Sequence, residues 1–250
     1  MNRQDLLAAL RGATAEHRVI TAMDVPSQED ALALAGRLGP AAPMVKVGLE
    51  LFSAAGPVMI DALHAQGRRI FLDLKYNDIP NTVAKAAAVA ARMGVAMVTM
   101  HAGCGRAAMS AAAEALDAAE PGPDGRRPAL LAVTVLTSLA AQDLRDMSPG
   151  EDSVQERVQR LATLAWDSGV DGLVCSAADL PALRAELGPE PLAVTPGIRP
   201  AGSDVQDQKR VATPASASRD GADFLVVGRP ITQADDPARA HADIVAQLEA

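Results

Sequence analysis

The sequence predicts an α/β fold, a parallel (β/α)₈ or TIM barrel occupying the whole chain as one domain, 1–250. Three observations carry that prediction. Eight short β-rich runs alternate with longer Ala-rich stretches of helical periodicity, a rhythm that implies a parallel sheet with helices outside it. The length of 250 residues suits one such barrel. No Gly-x-Gly-x-x-Gly follows the first run, which argues against an open dinucleotide-binding sheet.

Taken in order, the expected strands are 19–23, 44–47, 69–74, 96–100, 129–136, 172–175, 192–195 and 223–227. A short amphipathic helix over 2–11 precedes them and lacks the pattern of a signal peptide. Apolar spacing gives helices over 28–38, 51–66 and 82–93, and Pro80 suits a first helical turn. Gly67, Gly94, Gly169 and Gly221 fall near helix C-termini, where a left-handed cap is useful. The Pro/Gly-rich stretches 120–128 and 188–191 are turns, too short to link domains.

Composition excludes several functions. Hydrophobic residues make up 49% of the chain but only three Phe, one Tyr and one Trp are aromatic, so the core must be aliphatic, with Trp166 and the methionines inside it. A net charge of −8 with no basic run argues against nucleic acid or an anionic membrane as partner. No apolar run reaches the roughly 20 residues of a membrane span. Cys104 and Cys175 lie in apolar or Gly-rich stretches without metal-ligand spacing, as packing residues of a reducing compartment do, and a cytoplasmic location is expected. His17, His64, His101 and His241 form no close pair, so a metal site is not expected.

The chemistry collects at strand ends, where a barrel places its active site. The stretch Phe71-Leu-Asp-Leu-Lys-Tyr-Asn-Asp-Ile-Pro-Asn-Thr82 is the most informative. Alternation puts Phe71, Asp73 and Lys75 on one face and Leu72 and Leu74 on the other. Charges on a core-facing side are costly unless paired, so their retention points to use, the alternative being an exposed ion pair at a sheet edge. Asp24 follows the first strand, and Lys46 shares a face with Met44 and Gly48 in the second. Leu136-Thr-Ser138 ends the fifth.

Thr195-Pro-Gly-Ile-Arg-Pro200 and Val227-Gly-Arg-Pro-Ile-Thr232 follow the seventh and eighth strands, where barrels often bind phosphate. Gly228 admits close backbone approach, and Arg199 and Arg229 offer forked donors; two surface arginines after tight turns are the alternative. The polar stretch 202–210 reads as a loop from which Gln208 could reach a phosphoester, or simply as a solvated loop. His101-Ala-Gly-Cys-Gly105 reads as a tight turn or subunit contact in preference to a catalytic histidine.

Asp73-Leu-Lys-Tyr-Asn-Asp-Ile-Pro-Asn-Thr82, with Lys46 before it and Thr195-Pro-Gly-Ile-Arg199, Asp207-Gln-Lys-Arg210 and Val227-Gly-Arg-Pro-Ile-Thr232 after it, closely resembles the orotidine 5′-phosphate decarboxylase family. The motifs run in the family's order from Asp24 to Thr232. The resemblance implies a monofunctional, cofactor-independent conversion of orotidine 5′-monophosphate to uridine 5′-monophosphate and CO₂, the last step of de novo pyrimidine nucleotide synthesis.

It further implies that Lys75 protonates the carbanion and that Asp73 sits near the departing carboxylate. Lys46 and Asp78 complete a charge network, Asp78 coming from the second subunit of a homodimer with shared active sites. Asp24 and Lys46 contact ribose or base, Thr82 the ribose from that second subunit, and Thr137 with Ser138 the pyrimidine. Gln208, Gly228, Arg229 and Arg199 take the phosphate.

Two other readings fit the same residues. Sugar-phosphate enzymes such as 3-keto-gulonate 6-phosphate decarboxylase and hexulose-phosphate synthase share the Asp-x-Lys-x-x-Asp core but use Mg²⁺, and typically carry a carboxylate where this chain has Lys46. A non-catalytic phosphometabolite-binding barrel would keep the arginines without needing Lys75 and both carboxylates.

Overall fold

A computed structural model describes residues 2–122, 125–147, 150, 153–200 and 211–248. Eight parallel strands close in sequence order: β1 Val19–Ala22, β2 Met44–Gly48, β3 Arg69–Tyr76, β4 Met97–His101, β5 Ala129–Val133, β6 Gly172–Val174, β7 Leu192–Thr195 and β8 Phe224–Val227, with β8 pairing back to β1. Every expected strand is present within a few residues of its expected bounds. Alternation divides the core in two. One set of side chains, among them Val45, Leu72, Val98 and Leu225, packs under the helices. The other, including Ile20, Met44, Phe71, Met97, Leu131, Leu192 and Phe224, fills the barrel interior.

The N-terminal helix, Arg3–Arg11, closes the bottom of the barrel. Asn2 is its cap instead of its first residue, with the Asp5 N–H donating to Asn2 Oδ1 at 2.9 Å. Leu6, Leu7 and Leu10 are buried against the interior set, each contributing about 1.5–3 kcal/mol. Beside them Arg127 makes a two-pronged pair with Asp171 at 2.6 and 3.0 Å, and the Arg3 guanidinium lies 3.8 Å over the Trp166 ring. These contacts sit at the strand N-termini, away from the chemistry, and serve stability.

Four expectations need correction. The helix expected over 51–66 is two, Leu49–Ala55 and Val58–Ala65, because Gly56 at φ 66° and Pro57 interrupt it. β3 runs two residues past its expected end, since Tyr76 regains a partner in Met100 after a shift of register. β5 stops at Val133 instead of 136, because its neighbour β6 offers only three residues and the ladder ends at Val133–Val174. Met147 is exposed, not core. The four glycines expected as caps all have φ between 69° and 102°. No helix among the described residues is long and apolar enough to cross a membrane.

Candidate active site

A cavity of about 480 Å³ opens at the C-terminal ends of the strands, within the range of small-molecule sites. Its floor is apolar: Phe71, Val133, Val174 and Val226 come from the inward faces of four strands. Charge is gathered in two groups, one on β1–β3 and one after β7 and β8, and the two adjoin where β8 pairs with β1.

The first wall is an alternating chain of four ionic groups from β1, β2 and β3. Lys46 Nζ donates to Asp24 Oδ1 at 2.9 Å and lies 3.6 Å from Asp73 Oδ2. Lys75 Nζ donates to the same Asp73 oxygen at 2.9 Å. The middle of the chain is the most buried: side-chain exposure is 59% for Asp24, 11% for Lys46, 12% for Asp73 and 28% for Lys75. Two carboxylates and two ammoniums cancel, which makes their withdrawal from water tolerable. Removing either buried member, Lys46 or Asp73, would strand the other, at a cost of about 3–5 kcal/mol for a buried pair.

Two backbone features hold this wall. Lys75 adopts φ 51°, the only non-glycine residue with positive φ among those described, which costs roughly 1–2 kcal/mol. Gly48 leaves room: a Cβ there would lie 2.9 Å from Lys46 Nζ and 3.3 Å from Asp24 Oδ1. Thr99, inward-facing on β4 and fully buried, donates to Asp73 Oδ1 at 3.0 Å and accepts from the Lys75 N–H at 2.9 Å.

The second wall carries Arg199 and Arg229, with Gly197, Gly228, Thr232 and Gln233 around them. Arg199 is 9% exposed and donates to the Ile198 carbonyl at 2.9 Å. Burial first, and then the charge of Arg229, push its pKa down. Two cations that raise each other's energy in a half-buried cleft make a receptor for an anion. Arg229 is half-buried, not fully exposed, and opens the short turn of helix Arg229–Thr232.

Of the residues singled out from sequence, Asp24, Lys46, Asp73, Lys75, Thr137, Arg199, Gly228 and Arg229 line this one cavity. Ser138 does not: the chain turns after Thr137 and leaves it exposed. Gln208 lies outside the described residues. Asp78 and Thr82 are exposed and away from the cavity of their own chain. Asp78 Oδ1 accepts from the Ile79 N–H at 2.6 Å, at the entry to helix Pro80–Arg92, and Ile79 itself is 65% exposed. His101 ends β4 before a tight turn over Ala102–Cys104 and does not line the cavity. No cluster of His, Cys, Asp and Glu suited to a metal occurs among the described residues.

Sequence reasoning missed Thr99 and Cys175 as neighbours of the cavity. The signal for Thr99 was present: a hydroxyl at an inward position of the apolar run Met97-Val-Thr-Met-His101. Cys175 carries no such signal, since its expected role as a packing residue is also what its burial shows.

Residues 17–244 match the family model described as orotidine 5′-phosphate decarboxylase / HUMPS family. A protein of Marinomonas sp. (strain MWYL1) named orotidine 5′-phosphate decarboxylase is 52% identical over 231 residues, covering 90% of this chain and 96% of that protein. One of the same name from Moorella thermoacetica is 48% identical over 94% of this chain and 93% of its own. The crystal structure of orotidine 5′-phosphate decarboxylase from Lactobacillus acidophilus superposes with a TM-score of 0.83 at 40% identity, covering 93% of this chain and 99% of that one.

Proposed function

Because the chain belongs to the orotidine 5′-phosphate decarboxylase / HUMPS family, we propose that it converts orotidine 5′-monophosphate to uridine 5′-monophosphate and CO₂ without metal or organic cofactor, in pyrimidine nucleotide synthesis. The observation that carries this reading is the Asp24–Lys46–Asp73–Lys75 chain and two arginines lining one cavity with an apolar floor.

The substrate is an anion at both ends, and the two walls suit its two ends. Arg199, Arg229 and the Gly228 backbone take the phosphate, with Gln208 joining them from its loop. Asp24 and Lys46 hold the ribose or base, and Thr137 the pyrimidine edge. Phosphate binding, remote from the reacting carbon, supplies energy for placing the base against Lys75. The ring carboxylate then lies toward Asp73. As the C–C bond breaks, its electron pair stays on the ring carbon and CO₂ leaves into the apolar floor. The Lys75 ammonium stabilises that pair and gives it a proton, and the neutral amine regains one from water. Preorganised charge of this kind costs no reorientation at the moment of reaction.

Asp78 and Thr82 enter the reading from a second subunit. Asp78 sits on an exposed turn beside an exposed Ile79, which suits a cytoplasmic homodimer in which each turn completes the neighbour's site. Lys46 stands where the Mg²⁺-dependent sugar-phosphate enzymes typically carry a carboxylate, and its ammonium would repel a divalent cation. The test is turnover of orotidine 5′-monophosphate after exhaustive chelation. Persistent decarboxylation is expected; activity lost with EDTA and restored by Mg²⁺ would sink the reading.

A further inference from the structure

We propose that Thr99, a residue of the neighbouring strand, is a positioning residue that sets the Asp73–Lys75 pair for proton transfer. Resting on the decarboxylase reading above, it adds a residue that touches neither phosphate nor sugar. The geometry begins with an irregularity. β3 and β4 pair at Leu72–Val98 and again at Tyr76–Met100, so Asp73, Leu74 and Lys75 all face the single residue Thr99. A bulge re-aims side chains next to functional sites and interrupts the ladder. Here Lys75 turns to φ 51°, and its N–H donates to Thr99 Oγ1 at 2.9 Å.

The same hydroxyl has one proton, and it goes to Asp73 Oδ1 at 3.0 Å. Asp73 Oδ1 is thereby engaged, and rotation of the carboxylate is fixed with Oδ2 toward Lys75 Nζ at 2.9 Å and Lys46 Nζ at 3.6 Å. Thr99 thus fixes both ends of one lever: the backbone from which Lys75 projects and the carboxylate that orients its ammonium. Thr99 is 0% exposed and out of reach of bulk water, and β-branching restricts its χ1.

Two variants separate positioning from packing. Thr99→Val keeps shape and loses the hydroxyl; Thr99→Ser keeps the hydroxyl and loses a methyl group. Positioning predicts that Thr99→Val lowers kcat by about 10–100-fold, the scale of a displacement near 1 Å, with KM and uridine 5′-monophosphate affinity changed less than about threefold, because those follow from the phosphate wall. Thr99→Ser should hold kcat within about threefold of wild type despite its poorer packing. A crystal structure of Thr99→Val should show the Asp73–Lys75 contact opened beyond hydrogen-bond distance. Wild-type kcat in Thr99→Val, or equal kcat losses in both variants, would overturn the proposal. A wild-type protein inert toward orotidine 5′-monophosphate would refute the decarboxylase reading instead, and the crystal structure would then decide Thr99: an undisturbed Asp73–Lys75 pair overturns its role.

Discussion

Lys75 holds its ammonium 2.9 Å from Asp73 Oδ2 although the two residues are separated by only one position on the same strand. Neighbours on one face of a regular strand stand almost parallel, about two rises of 3.3 Å apart. The left-handed turn at Lys75, φ 51°, converges them. Strain at the backbone and close charges at the side chains occur at the same point, as they do where a structure is organised for chemistry.

Gly48 protects that arrangement from the other side. Its φ of −98° is open to any residue, so Gly48→Ala should fold normally. The added methyl would still press on Lys46 Nζ at 2.9 Å. The expected outcome is a Tm within a few degrees of wild type and a kcat/KM lower by about tenfold or more, since misplacement of a positioned charge weakens transition-state stabilisation. Unchanged kinetics would show that Lys46 has slack in its position.

Arg229→Ala should weaken uridine 5′-monophosphate by about 10–100-fold, the worth of a charge-assisted hydrogen bond of roughly 1.5–3 kcal/mol. Affinity for uridine, which lacks the phosphate, should stay within about twofold. Calorimetric titration of both ligands checks this. Equal losses would remove Arg229 from the phosphate wall.

Most of this molecule was legible in its sequence because the βα rhythm is strong and the strand ends carry charges that an aliphatic core cannot absorb. Lys46, Asp73 and Lys75 could be read from alternation alone. The left-handed turn at Lys75 and the bulge opposite Thr99 could not, because a local period says nothing of where a ladder slips. The stop in β5 was hidden for a related reason: Val135 and Leu136 are apolar enough for a strand, but β6 is too short to pair with them. The break at Gly56-Pro57 was visible in the letters and was overridden by apolar spacing on both sides of it.

Stability should fall as pH drops below neutrality. His17, His101 and His241 all have pKa values pushed below the usual 6.5, in each case chiefly by burial. The unfolded chain therefore binds more protons than the native one in this window. Their contribution is complete above about 6.5 and is lost as pH falls toward the lower native values. A falling Tm between pH 7 and 5.5 is expected, with a shallower slope in His241→Leu, whose ring in the wild type is 1% exposed. An identical slope in that variant would show that its burial does not govern the acid limb.

That Lys75 carries out decarboxylation in a site completed by a second subunit is tested most directly by mixing two inactive variants, Lys75→Ala and Asp78→Ala, under conditions that exchange subunits. In a two-fold symmetric dimer a mixed pair has one site with both defects and one with neither. Statistical exchange makes half the dimers mixed, so turnover of orotidine 5′-monophosphate should return to about one quarter of wild type per protomer. If Asp78 serves Lys75 of its own chain, every site keeps a defect. With exchange independently confirmed, a mixture as inactive as its parents would contradict the shared site.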